Sequence, residues 1–387
     1  MKKYLSYLLI FIIALGAAYY LANDNSANSY DFSSYIPSYV PSDEEAVYGP
    51  YYNQLNDFQK KVYSSFFEAV KNADDEVVLE NVKVDDFNTY TLDALIALQY
   101  DHPEFFWFRC GYDATLTRAK DSDTGTITAE PIYFNYVSSL FDHKGKLEKL
   151  NTEVDRVAAL AREHSGDVFE QMVFVHDYLI ENAIYDTKGL EEYEKTEHSP
   201  SNEYIFSAYG CLINKKTVCA GYAKAFQLIM NMLGYECSYV SGDAGGAHAW
   251  NCVYIDGKGY YVDVTWDDYD LEKEAPFYNY AFITTKELNK THQVTMPFKA
   301  PVCNDTKYNY FVKKSYYLDS YQIDRAKEIL SMQANKNAAH IKFSSFKDLT
   351  TAYYDLFKSG RFKSIAGFED FKYLTYNKEH CTISVYR

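Results

Sequence analysis

The sequence has no surplus of positive charge. Against 54 Asp and Glu stand 38 Lys and Arg, a formal net charge of −16 over 387 residues. A nucleic-acid binder would normally present a basic face to phosphates, and a polybasic membrane protein a run of Lys and Arg to anionic lipid, so both classes are set aside. No CxxC pair occurs among the seven cysteines (Cys110, Cys211, Cys219, Cys237, Cys252, Cys303 and Cys381), which removes zinc-ribbon and thioredoxin-like patterns. They are too thinly spread for a small disulfide scaffold, and their odd number leaves at least one thiol unpaired or paired between chains. No internal repeat is visible. What the sequence has in excess is tyrosine, 40 residues beside 25 Phe and only 3 Trp. Tyr packs as an apolar ring with one hydrogen-bonding tip, so the excess reads as compositional bias with a hint of carbohydrate or peptide contact. Hydrophobic residues make up 47 %, enough for a packed core. At roughly 100–200 residues per domain, the length fits two or three domains.

One long apolar run, Tyr4 to Ala22, follows Lys2 and Lys3. It approaches the ~20 residues that span a bilayer and exceeds the ~7–15 of a signal-peptide core. The reading is an N-terminal membrane anchor, with a cleaved signal peptide (small residues at Ala14–Ala18) and a buried helix as alternatives. No Cys lies near its end, so lipidation after cleavage is excluded. Cytoplasmic lysines place the remaining chain on the extracellular side of the membrane, or secreted if the run is removed.

The expected organisation is an anchor or signal (1–22), a Ser/Asn/Tyr/Pro/Asp-rich linker (23–50), a mainly helical and hairpin region (51–164), a core (165–285) and a small α/β unit (286–387). Asn56 is a candidate cap for a helix over 57–71, with Phe58, Val62, Phe66 and Val70 on one stripe. Residues 92–100 read as a second helix, and 114–120 with 126–137 as a hairpin around Asp123-Thr124-Gly125. Amphipathic helices follow over 144–163 and 167–183. A polar loop centred on 191–202 comes next, of a length that tends to be functional or mobile. After Lys286, a loop with Pro297 and Pro301 leads into the last unit, which shows no chemistry of its own.

Chemistry concentrates in 205–285. Thr217 is a plausible N-cap for a helix to Leu233, stopped by Gly234. Cys219 then sits in the first turn, where unpaired N–H groups and the positive end of the macrodipole favour a thiolate, the attacking form. Ala220, Gly221 and Ala223 allow another surface close. A strand over 235–241 and the loop Gly242–Ala247 precede two strands, 248–255 and 260–266, joined through Asp256-Gly257, a strong hairpin signal. In that register 255 faces 258 and 250 faces 263. His248 and Asp263 are then diagonal neighbours on one face, with Val253, Ile255, Val262, Val264 and Trp266 opposite. A thiol, an imidazole and an orienting carboxylate are what a Cys-His-Asp nucleophilic site requires, with the Cys219 N–H as oxyanion donor. Each has a bland reading: a lone Cys is usually a buried small hydrophobe, a lone His structural (as His102, His176 and His198 are read), and a strand Asp a solvated edge residue. Their joint order and placement outweigh it. A zinc site from Cys219, Cys237, His248 and Cys252 is possible by residue type, but the spacings match no common motif.

Tyr209-Gly210-Cys211-Leu212, Val218-Cys219-Ala220-Gly221-Tyr222-Ala223, Gly246-Ala247-His248-Ala249-Trp250-Asn251 and Tyr261-Val262-Asp263-Val264-Thr265-Trp266-Asp267 resemble the core motifs of the transglutaminase-like superfamily, whose core is similar to papain-like cysteine proteases. Asp101-His102-Pro103-Glu104-Phe105-Phe106-Trp107 resembles a segment upstream of this core in bacterial cell-surface members. The resemblance implies an α+β fold, with a Cys-bearing helix packed on an antiparallel sheet. It makes Cys219 the nucleophile, His248 the general base and acid, and Asp263 the orienting acid. It implies an aromatic oxyanion partner, for which Tyr185 is the candidate where animal transglutaminases use Trp. Its alternative is simple packing at a helix end. Trp250 and Tyr222 are further oxyanion or substrate candidates, walling a peptide groove or packing its core. No acidic cluster resembles the calcium sites of animal transglutaminases; Asp267, Asp268 and Asp270 read as a solvated turn. Cys211 and Cys252, without a family role, either pair or pack. No cofactor or metal is expected.

The implied activity is thiol-dependent acyl transfer from a peptide bond or Gln side chain, to water (peptidase, amidase) or to a Lys amine (cross-linking). A coenzyme A-dependent acetyltransferase is weakened by the absence of a basic phosphate-binding run. The expected partners are a protein or peptide substrate, including cell-wall material, and the membrane through the N-terminal segment. A non-catalytic adhesion or scaffold module on the same fold is the alternative from another class.

Overall fold

The computed structural model describes residues 49–108 apart from 75 and 78–86, short strands between 114 and 134, and residues 143–386 apart from 196–202, 269–274, 366 and 370. The anchor, most of the linker, Cys110, the Asp123–Gly125 turn, His198 and Asp270 fall outside the described residues. Among the described residues no helix is long and apolar enough to cross a membrane.

Helix α1 (Asp57–Asn72) starts where its cap dictates. Asn56 accepts from the Gln59 N–H, and Gln59 answers with its side chain to the Asn56 N–H, a capping box. Its predicted stripe is buried. Helix α2 (Phe87–Asp101) begins earlier than its expected 92. Strands β1 (Glu76–Val77), β2 (Ala114–Thr115), β3 (Arg118–Lys120), β4 (Ile127–Ala129) and β5 (Ile132–Phe134) form a small sheet, β1-β5-β2, and the β3–β4 hairpin. The Asp101-His102-Pro103-Glu104 segment closes this region. The Asp101 carboxylate accepts from the N–H groups of Tyr51 (3.1 Å) and Tyr52 (2.8 Å). His102 Nδ1 meets Glu104 (2.8 Å), and Trp107 Nε1 donates to the Val70 carbonyl. These contacts join α1 and α2 to the N-terminal turn, and His102 is buried among them.

Helices α3 (His143–His164) and α4 (Val168–Asn182) match their predicted spans within one or two residues. After β6 (Ile184–Tyr185), α5 (Thr187–Lys195) and β7 (Lys216–Thr217), the central helix α6 (Cys219–Leu233) packs against α3, α4 and the main sheet. That sheet is antiparallel, ordered β11-β10-β9-β8-β12. Its strands are β8 (Cys237–Asp243), β9 (Ala247–Ile255), β10 (Lys258–Val262), β11 (Ala281–Ile283) and β12 (Gln293–Val294). The expected hairpin is present in register: Ile255 faces Lys258 and Asn251 faces Val262. Asp256 (φ 52°) and Gly257 (φ 70°) both take the left-handed conformation that a two-residue hairpin turn requires. The fold is thus α+β, a helix bearing Cys219 laid on an antiparallel sheet.

One expectation fails within the sheet. Residues 263–266 do not continue β10. Asp263 caps a short helix α7 (Val264–Asp267), its carboxylate accepting from the Trp266 N–H at 3.1 Å. A carboxylate just ahead of a turn satisfies N–H groups that a strand would have sent to a neighbour. The sheet also takes β12 from residues read as a loop. The C-terminal sheet, β13-β14-β16-β15, comprises β13 (Tyr317–Leu318), β14 (Ala338–Phe343), β15 (Tyr373–Asn377) and β16 (Thr382–Tyr386). One apolar core runs through all three regions, from Phe66 and Leu150 through Phe226 and Val253 to Ile341 and Val385.

Candidate active site

Cys219 is the first residue of α6 and is half-buried. The cap position is Val218, not the expected Thr217, and no side chain caps the helix. The Thr217 hydroxyl instead reaches the Ile205 carbonyl at 3.0 Å. The N–H at Cys219 is therefore not taken by a cap, as an oxyanion donor must not be. At Gly221 the helix passes close against the 205–207 segment. A Cβ there would lie 1.9 Å from Thr217 Oγ1 and 2.8 Å from the carbonyls of Ile205 and Ser207. Gly221→Ala gains helix propensity of at most ~1 kcal/mol, but overpacking of this kind costs about 1–3 kcal/mol. Its melting temperature is expected to fall. An unchanged or higher value would show that 205–207 yields.

His248 lies near the start of β9 and Asp263 follows the end of β10, so the hairpin register brings them together. His248 Nε2 and Asp263 Oδ2 are 2.7 Å apart, and both residues are buried. The other imidazole nitrogen is not used by Asp263, and Cys219 lies near enough to help raise the titration of His248. The three residues singled out from the sequence are brought together as a Cys-His-Asp set.

A fourth residue joins them. His292 Nε2 lies 3.0 Å from the same Asp263 Oδ2, and its Nδ1 lies 2.8 Å from the Thr291 hydroxyl. His292 directly precedes β12, whose Gln293 pairs with Asp243 of β8. Sequence reasoning missed it, since it was read into a loop beyond the core. Around these side chains stand Trp250 (stacked on His248, centroids 5.9 Å apart; 4.9 Å from His292) and Trp266 (5.9 Å and 4.6 Å from the same two rings). Trp266 is thus beside the site rather than on the opposite face, because α7 turns it there.

Burial opposes charge on His248, but the Asp263 carboxylate and Cys219 outweigh it and raise its titration to about 10. Burial likewise opposes charge on Asp263, and the two imidazoles overcome it, holding the carboxyl well below its usual range. His292 goes the other way: burial lowers it, and Asp263 does not fully offset that. The site therefore pairs one charged and one neutral imidazole on a single carboxylate.

The remaining candidates fall as follows. Tyr185 lies on β6 and pairs in parallel with Thr217 of β7, two residues before Cys219, and it is partly buried. Tyr222 is fully buried and donates to Asp268; Trp250 is 1 % exposed, so both sit inside the core around the site. Asp267 is a correction. It is fully buried rather than solvated, accepts from the Tyr280 N–H at 3.1 Å and meets His176 Nε2 at 3.3 Å. Cys252 lies beside Cys303, Sγ to Sγ 3.6 Å, while Cys211 is buried as a free thiol. Cys237 and Cys252 are both buried. Among the described residues the His/Asp group with ligand atoms within 4.8 Å of one another is His248, Asp263 and His292, a set that includes none of the cysteines considered for zinc. A cavity of about 600 Å³ lies between the core and the C-terminal sheet, lined by Trp266, Tyr280, Thr291, Tyr376 and Glu379 among others.

Residues 155–264, which contain Cys219, His248 and Asp263, match the profile of the Transglutaminase-like superfamily. This stretch is a transglutaminase-like domain. The kyphoscoliosis peptidases of Mus musculus and Homo sapiens are each 27 % identical over 123 residues, covering 28 % of this chain and 17 % of each relative. The chain thus spans about a sixth of the length of these relatives. A crystal structure of a TGase aligns with 40 % of this chain and 45 % of its own at 15 % identity and a TM-score of 0.27. His292 lies outside the matched stretch of the transglutaminase-like domain.

Proposed function

We propose that this chain is a thiol-dependent acyl-transfer enzyme, a peptidase or amidase working outside the cell. The observation that carries the reading is the hydrogen-bonded pair His248–Asp263 with Cys219 beside it, the thiol half-exposed at an uncapped helix start and the carboxylate buried. The matched relatives being peptidases favours water as the acceptor.

In the first step Cys219 sulfur attacks the carboxamide carbon, and the oxyanion is met by the Cys219 N–H, with Tyr185 as the aromatic partner. The C–N bond breaks as His248 delivers its proton to the leaving amine, and a thioester remains. The site's electrostatics suit the second step as well. Part of what raises His248 is Cys219 itself. Once the sulfur is acylated that contribution is gone, His248 gives up a proton more readily, and it can deprotonate the attacking water. A Lys amine entering instead of water yields a cross-link by the same chemistry.

The pH dependence follows from the sign of the His248 shift. Its folded value, about 10, lies above the ordinary 6.5. The imidazolium needed for the first step persists through neutral pH and is lost as pH rises through about 10. The same pair stabilises the fold fully from above the ordinary carboxylate range up to about 6.5, progressively less towards pH 10, and less again as acid protonates Asp263. Turnover and melting temperature are both expected to decline on that alkaline side; a turnover limb centred near 6.5 would contradict the assignment.

Incubating the ectodomain with a peptide library and reading the products by mass spectrometry tests the function. New peptide ends are expected with wild type and not with Cys219→Ala. Cross-links with loss of ammonia would identify a transglutaminase, and no change with either protein would favour a non-catalytic module.

A further inference from the structure

We propose that His292 is a positioning residue for the active site, a second imidazole that fixes the Asp263 carboxylate so that Asp263 can orient His248. The inference rests on the thiol reading of the site and adds to it a residue from outside the matched domain.

The geometry carries it. Asp263 receives three donors: the Trp266 N–H on Oδ1 (3.1 Å), and His248 Nε2 (2.7 Å) and His292 Nε2 (3.0 Å) on Oδ2. An ionised carboxylate is acceptor-only, so both imidazoles must present Nε2–H to it. For His248 that leaves Nδ1 facing Cys219. For His292 it leaves Nδ1 as an acceptor, and the Thr291 hydroxyl is there to donate at 2.8 Å. His292 is therefore held in one tautomer from behind while it holds Asp263 from the front. The ring is wedged by Trp250, Trp266 and Tyr280, with centroids 4.6–5.2 Å away, and its side chain has no exposed surface. A buried imidazole without a carboxylate to serve would be an expensive choice for this position. With the Trp266 N–H on Oδ1, the second imidazole on Oδ2 completes a three-point hold on the carboxylate from a direction that neither His248 nor the backbone supplies.

The backbone adds a reason for the placement. His292 sits at the entry to β12, and β12 pairs with the end of β8, where Gly242 faces His248 of β9. The strand that closes the sheet edge thereby carries its histidine to the carboxylate from the side opposite the β9–β10 hairpin.

Two measurements test this without any need to know the substrate. On the wild-type protein, side-chain nitrogen NMR of labelled histidines at pH 7 should show His292 neutral with its proton on Nε2. A proton on Nδ1 and a bare Nε2 would overturn the proposal. The second is alkylation of Cys219 by iodoacetamide at pH 7. His292→Leu removes the donor and should slow it by ~10–100-fold, the size of effect seen when a residue that orients a metal ligand is lost, and should broaden or shift the His248 Nε2–H resonance. His292→Gln keeps an amide donor near the Nε2 position and should recover most of the rate. Leu and Gln variants that react alike, or a Leu variant as fast as wild type, would overturn it. If wild-type Cys219 is itself no more reactive than an ordinary thiol, the acyl-transfer reading fails rather than this one. If the Leu variant does not fold, the wild-type tautomer still decides.

Discussion

Asp263→Asn is expected to abolish turnover while leaving Cys219 in place. Removing the charge from the orienting acid of such a triad lowers kcat by ~10⁴-fold, and the structure explains why no less is expected here. Three N–H groups converge on this carboxylate. Asparagine offers one carbonyl oxygen and two donors in the same space. If the oxygen keeps the Trp266 cap, the amide hydrogens face two Nε2–H groups. His248 relieves that by giving up its Nε2 proton, so the imidazolium that faces the Cys219 sulfur and acts as the acid of the first step is lost. Burial, the largest influence on His248, is then no longer offset by the carboxylate, and the imidazole is neutral at pH 7. Breaking a buried pair by removing one partner also costs about 3–5 kcal/mol of stability. The expected result is a folded but less stable protein, with turnover near background across the pH range. Chemical denaturation and turnover measured on the same preparation check both parts. Asn retaining more than about a tenth of wild-type turnover would contradict the role of Asp263.

Cys219→Ala should cost more in activity and much less in stability. A knocked-out nucleophile in a comparable triad loses on the order of 10⁶ in kcat. The thiol is half-buried at a helix start, and alanine is a good helix former, so stability should change by no more than about 1 kcal/mol. The two substitutions thus separate the nucleophile from the buried charge that serves it. A Cys219→Ala protein that still processes peptides would remove the thiol from the mechanism altogether.

The legible and illegible parts of this molecule divide along the range of the interactions involved. Asn56 and Gln59 announce the start of α1, Asp256-Gly257 the hairpin, and that hairpin fixes the register placing His248 near Asp263. All these signals lie within a few residues of what they determine. The errors have distant causes. Thr217 does not cap α6 because its hydroxyl is claimed by Ile205. Asp267 reads as one of a solvated acidic run, yet is buried against His176 and the Tyr280 N–H. The alternation of Val262, Val264 and Trp266 reads as strand, but Asp263 turns the chain into α7. An Asp three residues ahead of the Trp266 N–H was the available signal. His292 is the hardest case. It is placed by a two-residue strand pairing with β8 some fifty residues earlier, and no local periodicity marks so short an element. Part of the tyrosine excess finds a place as packing around the site: the Tyr222 hydroxyl donates to Asp268 and the Tyr280 ring packs on His292 and Trp266, while Tyr51 and Tyr100 tie the N-terminal turn and α2 to β8.

The central claim is that Cys219 carries the acyl group. Rapid acid quenching of wild-type enzyme during turnover of a peptide it cleaves, followed by intact-mass and fragment analysis, tests this most directly. The account predicts an acyl adduct on Cys219 that disappears on treatment with hydroxylamine, as a thioester does. Turnover with no adduct on Cys219, undiminished in Cys219→Ala, would contradict it.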